Sequence, residues 1–123
     1  MASAEEIGAS LISILGPISN RKLHVLLYYA QASSLLYLKR PMFPERIEAW
    51  EFGPVVPSVW HRGDDRAIDQ EPKEVRAYID QNDAIIVESV AQEYGHVPEV
   101  RLIERVQSES PWVRARHWTS PEG

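Results

Sequence analysis

The chain has 123 residues, of which 44% are hydrophobic and 25% charged, and a formal net charge of −5. That is enough for one domain with its own core and too little for two, and the composition is that of a globular protein. There is no cysteine, which excludes a disulfide framework, a thiolate nucleophile and a cysteine-ligated metal, and agrees with a reducing compartment.

Charge is unevenly spread. Residues 1–40 carry four basic and two acidic side chains, residues 41–99 five and thirteen, and residues 100–123 four and three. A middle section at −8 repels phosphate backbones and favours a partner with a basic surface, or simply keeps the protein in solution.

In chain order, Glu5 and Glu6 stand where an export signal carries positive charge, so no signal peptide is expected. Ser3 and Glu6 have capping-box spacing, and Ile7, Leu11, Ile14 and Leu15 follow at helical intervals, which predicts a first helix with one apolar stripe. Gly16-Pro17 ends it, because a residue before proline is driven out of helical geometry. A second helix is predicted over Asn20–Leu38, capped by Ser19 and stapled by Ile18 against Leu23. It is apolar nearly all round, from Leu23, Val25, Leu26 and Leu27 to Leu35, Leu36, Tyr37 and Leu38, as expected of a helix covered on several sides. Its apolar run from Val25 to Leu38 is interrupted by Gln31, Ser33 and Ser34 and is shorter than the roughly 20 residues of a membrane span. A soluble cytoplasmic protein is the expectation.

Pro44, Pro54, Pro57 and Gly53, with Ile47, Trp50, Phe52, Val55 and Val56, predict a small β-hairpin or short extended pieces near residues 43–56. Pro57 can then open a short helix carrying Val59 and Trp60. His61–Asp69 reads as a polar loop and Pro72–Ile79 as a short helix. Asp83 is the expected cap of a further helix carrying Ile86, Val87, Val90, Ala91 and Tyr94 and stopping at Gly95. Pro98 opens another with Leu102, Ile103 and Val106, and Ser110-Pro111 a last turn. The fold expected is a compact, mainly α domain of the α+β kind, around a buried central helix.

Chemistry is sparse. His24, His61, His96 and His117 fall on separate predicted elements, and none pairs at metal-ligand spacing; His61 with Asp64 and Asp65 reads as a solvated loop, and His24 as a core histidine. No G-x-S-x-G elbow or phosphate-cradling glycine pattern occurs. Arg114 and Arg116 interleave with Trp112, His117 and Trp118, a pattern that can stack bases, but the acidity of the chain argues against nucleic acid. No catalytic residue, metal or cofactor is expected.

The densest local chemistry is Glu48–Trp60, EAWEFGPVVPSVW, where Gly53 and Pro54 constrain the backbone and leave little entropy to lose on binding. Taken with the preceding helix, this segment resembles the Panacea antitoxin domain. Lys22, Leu23, Leu26, Leu27, Tyr28, Tyr29 and Gln31 occupy the helix half of the family pattern, and Ala49, Trp50, Gly53, Pro54, Val55 and Pro57 the second half. Arg40–Phe43, RPMF, stands at the step between the two. At Val106-Gln107 the chain departs from a Thr-His step common in relatives, and the family's C-terminal helix is expected to be shortened or absent.

The resemblance implies a single helical domain of bacterial or phage origin that neutralises a protein toxin by direct binding, without catalysis. Relatives act on translation-targeting toxins, alarmone-synthetase-like ones included. At least one is an adaptor delivering its toxin to a protease, so the alternative is an adaptor or a phage regulatory protein with weak nucleic-acid binding. Expected partner contacts are Glu48, Trp50, Glu51, Phe52, Gly53, Pro54, Val55, Trp60, Arg62, Asp64 and Asp65, since large aromatics dominate interfaces and flanking charges select the partner. Trp50 also suits a structural role, holding the β element against the buried helix.

Overall fold

The computed structural model describes residues 1–60, 67–68 and 79–109. Helix α1 (Ala4–Leu15) opens with the expected capping box: the Ser3 hydroxyl accepts from the Glu6 amide while the Glu6 carboxylate accepts from the Ser3 amide. It ends at Gly16, whose φ of 83° is a positive value that glycine adopts without steric cost. Ile7 and Leu11 are buried as predicted, but Ile14 faces solvent and Ile12 is inside instead. The helix is flanked on two sides, by α2 and α4, so its covered face is wider than a single stripe and is displaced from the predicted one.

Ile18–Ser19 forms a two-residue strand, β1, directly before helix α2 (Asn20–Tyr37). Ser19 caps that helix by accepting from the Lys22 amide, and both members of the predicted staple, Ile18 and Leu23, are buried. Leu23, Val25, Leu26, Leu27 and Ala30 are almost completely inaccessible because α2 is packed by α1, α4 (Gln81–Tyr94), α5 (Glu99–Gln107) and the β-hairpin together. At roughly 1.5–3 kcal/mol per buried Leu or Val, this stretch holds a large part of the hydrophobic stabilisation. The all-round burial expected of the helix stops short of its end, however: Leu35, Leu36 and Tyr37 are exposed. Lys39 follows with a φ of 62°, a rare conformation for a residue with a side chain.

The hairpin lies where extended structure was expected. Strands β2 (Glu48–Ala49) and β3 (Pro54–Val55) pair antiparallel, with Glu48 opposite Val55 and Ala49 opposite Pro54. Helix α3 (Pro57–Trp60) starts at Pro57, where a missing N–H has no cost. A further strand, β4 (Ala67–Ile68), pairs antiparallel with β1, Ile68 opposite Ile18 and Ala67 opposite Ser19. That pairing lies inside the segment expected to be loop; a two-residue strand is held by a partner some fifty positions away and leaves no periodicity of its own. The predicted short helix over Pro72–Ile79 and the final turn at Ser110-Pro111 lie, apart from Ile79, outside the described residues.

Helix α4 is capped by Asp80, not Asp83: the Asp80 carboxylate accepts from the Asp83 amide at 2.8 Å. Asp83 sits in the first turn, buried, where its carboxylate meets the Arg40 guanidinium at 3.1 Å. The α4 face of Ile86, Val87, Val90 and Ala91 is buried as predicted, and α5 contributes Leu102 and Val106. Between these helices Gly95 has no room for a side chain, since an added Cβ would lie 2.4 Å from both the Ala91 carbonyl and Leu15 Cδ2.

Two residues of the family-like helix act as clamps. Gln31 reads the backbone of Met42 and Phe43 as a neighbouring strand would: Oε1 accepts from both amides (2.7 and 3.3 Å), and Nε2 donates to the Phe43 carbonyl at 3.0 Å. It thereby satisfies three backbone polar groups of two fully buried residues. Lys22 Nζ donates to the Gly95 carbonyl at 2.6 Å, and Ser19 Oγ donates to the Glu99 carboxylate, so the start of α2 is tied to the α4–α5 corner. Burial holds the Lys22 amine below its ordinary pKa, partly opposed by Glu99.

Candidate partner-binding site

The hairpin presents a connected aromatic cluster. Its turn is closed by the Trp50 amide donating to the Gly53 carbonyl at 2.9 Å. Trp60, brought back by α3, is the hub: its ring meets Trp50 edge-on at 5.5 Å, lies tilted at 5.4 Å from Phe52, and meets the His24 ring edge-on at 5.3 Å. Contacts of this geometry contribute about 0.5–1.5 kcal/mol each beyond area burial. Arg21, on the first turn of α2, places its guanidinium 5.0 Å from the centre of the Phe52 ring, within cation–π range.

His24 anchors the cluster from below. Nearly inaccessible, it faces two backbone carbonyls, Asn20 at 2.8 Å from Nδ1 and Val56 at 3.4 Å from Nε2. A neutral ring donates to one of these at a time, and only the cation donates to both. Burial prevails and pushes the His24 pKa below the usual histidine value, with the two carbonyls acting against it.

Glu48 organises the outer edge. Its Oε1 accepts from the Trp50 indole N–H at 2.9 Å and its Oε2 from Arg46 Nε at 2.7 Å; these two bonds, Trp50 first, hold the carboxyl below its ordinary pKa. The far side of the turn is fixed by Gln107, whose amide donates to the Phe52 carbonyl at 2.8 Å and the Glu51 carbonyl at 3.2 Å. Gln107 thereby fastens the hairpin turn to α5.

The expected contact residues separate into two sets. Glu51 is exposed, and Glu48, Trp50, Phe52 and Trp60 are half-buried with one side toward solvent. Gly53, Pro54 and Val55 are buried, with Ala49, and shape the surface from beneath. Gly53 adopts an ordinary φ and has open space where a methyl group would project, so the tight path ascribed to it comes instead from Pro54, Pro57 and the clamping hydrogen bonds. Arg62, Asp64 and Asp65 lie outside the described residues, as does the Arg114–Trp118 cluster. Sequence reasoning missed Arg21, Arg46 and Gln107, which reach the hairpin from other elements; only Arg46 had a local signal, two positions before Glu48.

Among the described residues, no group of three or more His, Cys, Asp or Glu side chains could hold a metal ion, and no helix is long and apolar enough to cross a membrane. The sequence pattern of the family described as antitoxin SocA-like, Panacea domain, matches residues 23–113. The chain belongs to the Panacea family. The match takes in α2 from Leu23, the hairpin, α4 and α5, while α1, whose Ile7, Leu11 and Ile12 complete the core, precedes it. Neither the curated proteins nor the solved structures contain a match.

Proposed function

We propose that this Panacea protein is the antitoxin of a toxin–antitoxin pair and neutralises a protein toxin by binding it through the hairpin face. The observation that carries this reading is the family membership joined to the aromatic edge: Trp60 meets both Trp50 and Phe52, and all three are partly solvent-facing and held by neighbouring elements. Anchors ordered before binding lose little entropy on association, and Trp and Tyr anchors with Arg are the residues that dominate interface energetics. Glu51, exposed at the tip, and the Arg46–Glu48 pair would select the partner by charge rather than supply most of the affinity.

On this reading the protein binds and does not catalyse, and it meets its toxin in the cytoplasm. Co-expression with the product of the adjacent gene tests it. Growth arrest by that neighbour alone, relieved by this protein and not by its Phe52→Ser variant, is the expected result. A harmless neighbour, or one that never co-purifies, would sink the proposal. Toxin half-life measured in the same cells separates blocking from delivery to a protease: blocking leaves it unchanged or longer, whereas an adaptor shortens it.

A further inference from the structure

The side of α2 turned toward α4 carries a second surface that the hairpin does not use. The C-terminal half of α2 and helix α4 enclose a groove of about 380 Å³, walled by Ala32, Ser33 and Leu36 on one side and Ile86, Ser89 and Glu93 on the other. Its inner end is closed by Tyr29 and Tyr94, stacked 4.2 Å apart and nearly parallel, and the Tyr29 hydroxyl donates to Glu109. At its outer end the lining residues Leu36 and Tyr37 are 59% and 70% exposed. Two of the seven large hydrophobic side chains that are exposed among the described residues therefore line this one groove. Clustering of this kind marks an interaction surface, whereas scattered apolar residues do not.

Charge narrows the occupant. Helix α4 carries Asp83, Glu88 and Glu93 and no lysine or arginine. Asp83 is neutralised by Arg40, and Glu93 is the charged residue in the groove wall, with no cation beside it in the lining. A second copy of this chain would bring the same acidic helix against its twin. A shallow trough between two packed helices, with apolar ends and small residues between them, fits one further helix laid along it.

We propose that this groove docks a single amphipathic helix of a partner protein, with an aliphatic or aromatic face and a lysine- or arginine-bearing edge that meets Glu93. The surface is separate from the hairpin face, and the inference does not depend on the hairpin reading. The probe is a fluorescein-labelled, stapled helical peptide with a Leu/Trp face and a Lys edge, compared by anisotropy with the same peptide carrying a Glu edge. The full-length protein binds the Lys-edged peptide in preference. Leu36→Asp removes that binding, and Glu93→Lys weakens it about tenfold while improving the Glu-edged peptide; circular dichroism confirms that both variants fold, since both positions face solvent. Four results overturn the proposal: no binding of either peptide below about 1 mM; equal effects of Glu93→Lys on both; a dimer in sedimentation that Leu36→Asp dissolves, which gives the groove to a second copy; or peptide binding seen only in a Trp112→Ala, Trp118→Ala variant, which gives it to the chain's own residues 110–123.

Discussion

The two halves of α2 are built from the same kinds of residue and end in opposite environments. From Leu23 to Ala30 nearly every side chain is inaccessible, whereas Leu35, Leu36 and Tyr37 stand in solvent. The first half is enclosed because Ser19, Lys22 and His24 fasten it to α5, the α4–α5 corner and the hairpin. The second half runs beyond those fastenings: Gln31 and the buried Ser34 hydroxyl hold the chain that follows the helix, through Met42, Phe43 and the Arg40 carbonyl, and Arg40 links that chain to the start of α4. Apolar composition therefore says that a segment seeks cover, and the location of its polar clamps says whether the domain itself supplies that cover.

Truncating one leucine in each half separates the two environments most strongly. Leu26→Ala should cost about 2–5 kcal/mol, because it empties a fully packed site. Leu36→Ala should stay within about 0.5 kcal/mol. Urea unfolding of both variants measures the difference, and similar losses would mean that the outer half is packed after all.

The clamps come next. Gln31→Leu keeps the side chain's bulk and leaves the amides of Met42 and Phe43 and the Phe43 carbonyl without their partner, for an expected loss of about 1–3 kcal/mol. Gly95→Ala tests the α1–α4 junction. The methyl would press on Leu15 and the Ala91 carbonyl, with an expected cost of about 1–3 kcal/mol from overpacking. A neutral outcome at either position would remove that residue from the set that holds the buried half in place.

The smallest effect is in pH. Because burial lowers the folded pKa of His24, the unfolded chain takes up its proton first. His24 therefore contributes stability that is present above the ordinary histidine value of about 6.5 and is lost as pH falls from there through the lowered folded value. Denaturant midpoints measured downward from pH 7.5 should decline across that window in the native protein. The decline should flatten in His24→Gln, and equal slopes would show that other groups carry it.

Local signals were legible in the sequence wherever neighbours in the chain decide the outcome. The Ser3–Glu6 box, the Gly16-Pro17 stop, the Ser19 cap, the Pro57 and Pro98 starts and the hairpin position all follow from short-range chemistry. What stayed hidden depends on partners far along the chain. Ile12 replaces Ile14 inside because of where α2 and α4 lie, and Ala67–Ile68 is a strand only because Ile18–Ser19 pairs with it. Asp80 takes the cap expected of Asp83, which lies buried in the first turn, and Arg40, forty positions before Asp80, reaches both carboxylates. At the candidate site the aromatics were visible, whereas Arg21 and Gln107, which frame Phe52 from two helices, were not. The burial of Gly53, Pro54 and Val55 was equally unreadable, since a motif records that residues matter without saying which face they turn.

Titration calorimetry with the purified product of the adjacent gene tests the proposed hairpin face as a toxin-binding surface. Saturable binding is expected, weakened about a hundredfold by Phe52→Ser and more modestly by Glu51→Arg, with circular dichroism unchanged in both. Binding that is absent, or that both variants leave intact, would contradict it.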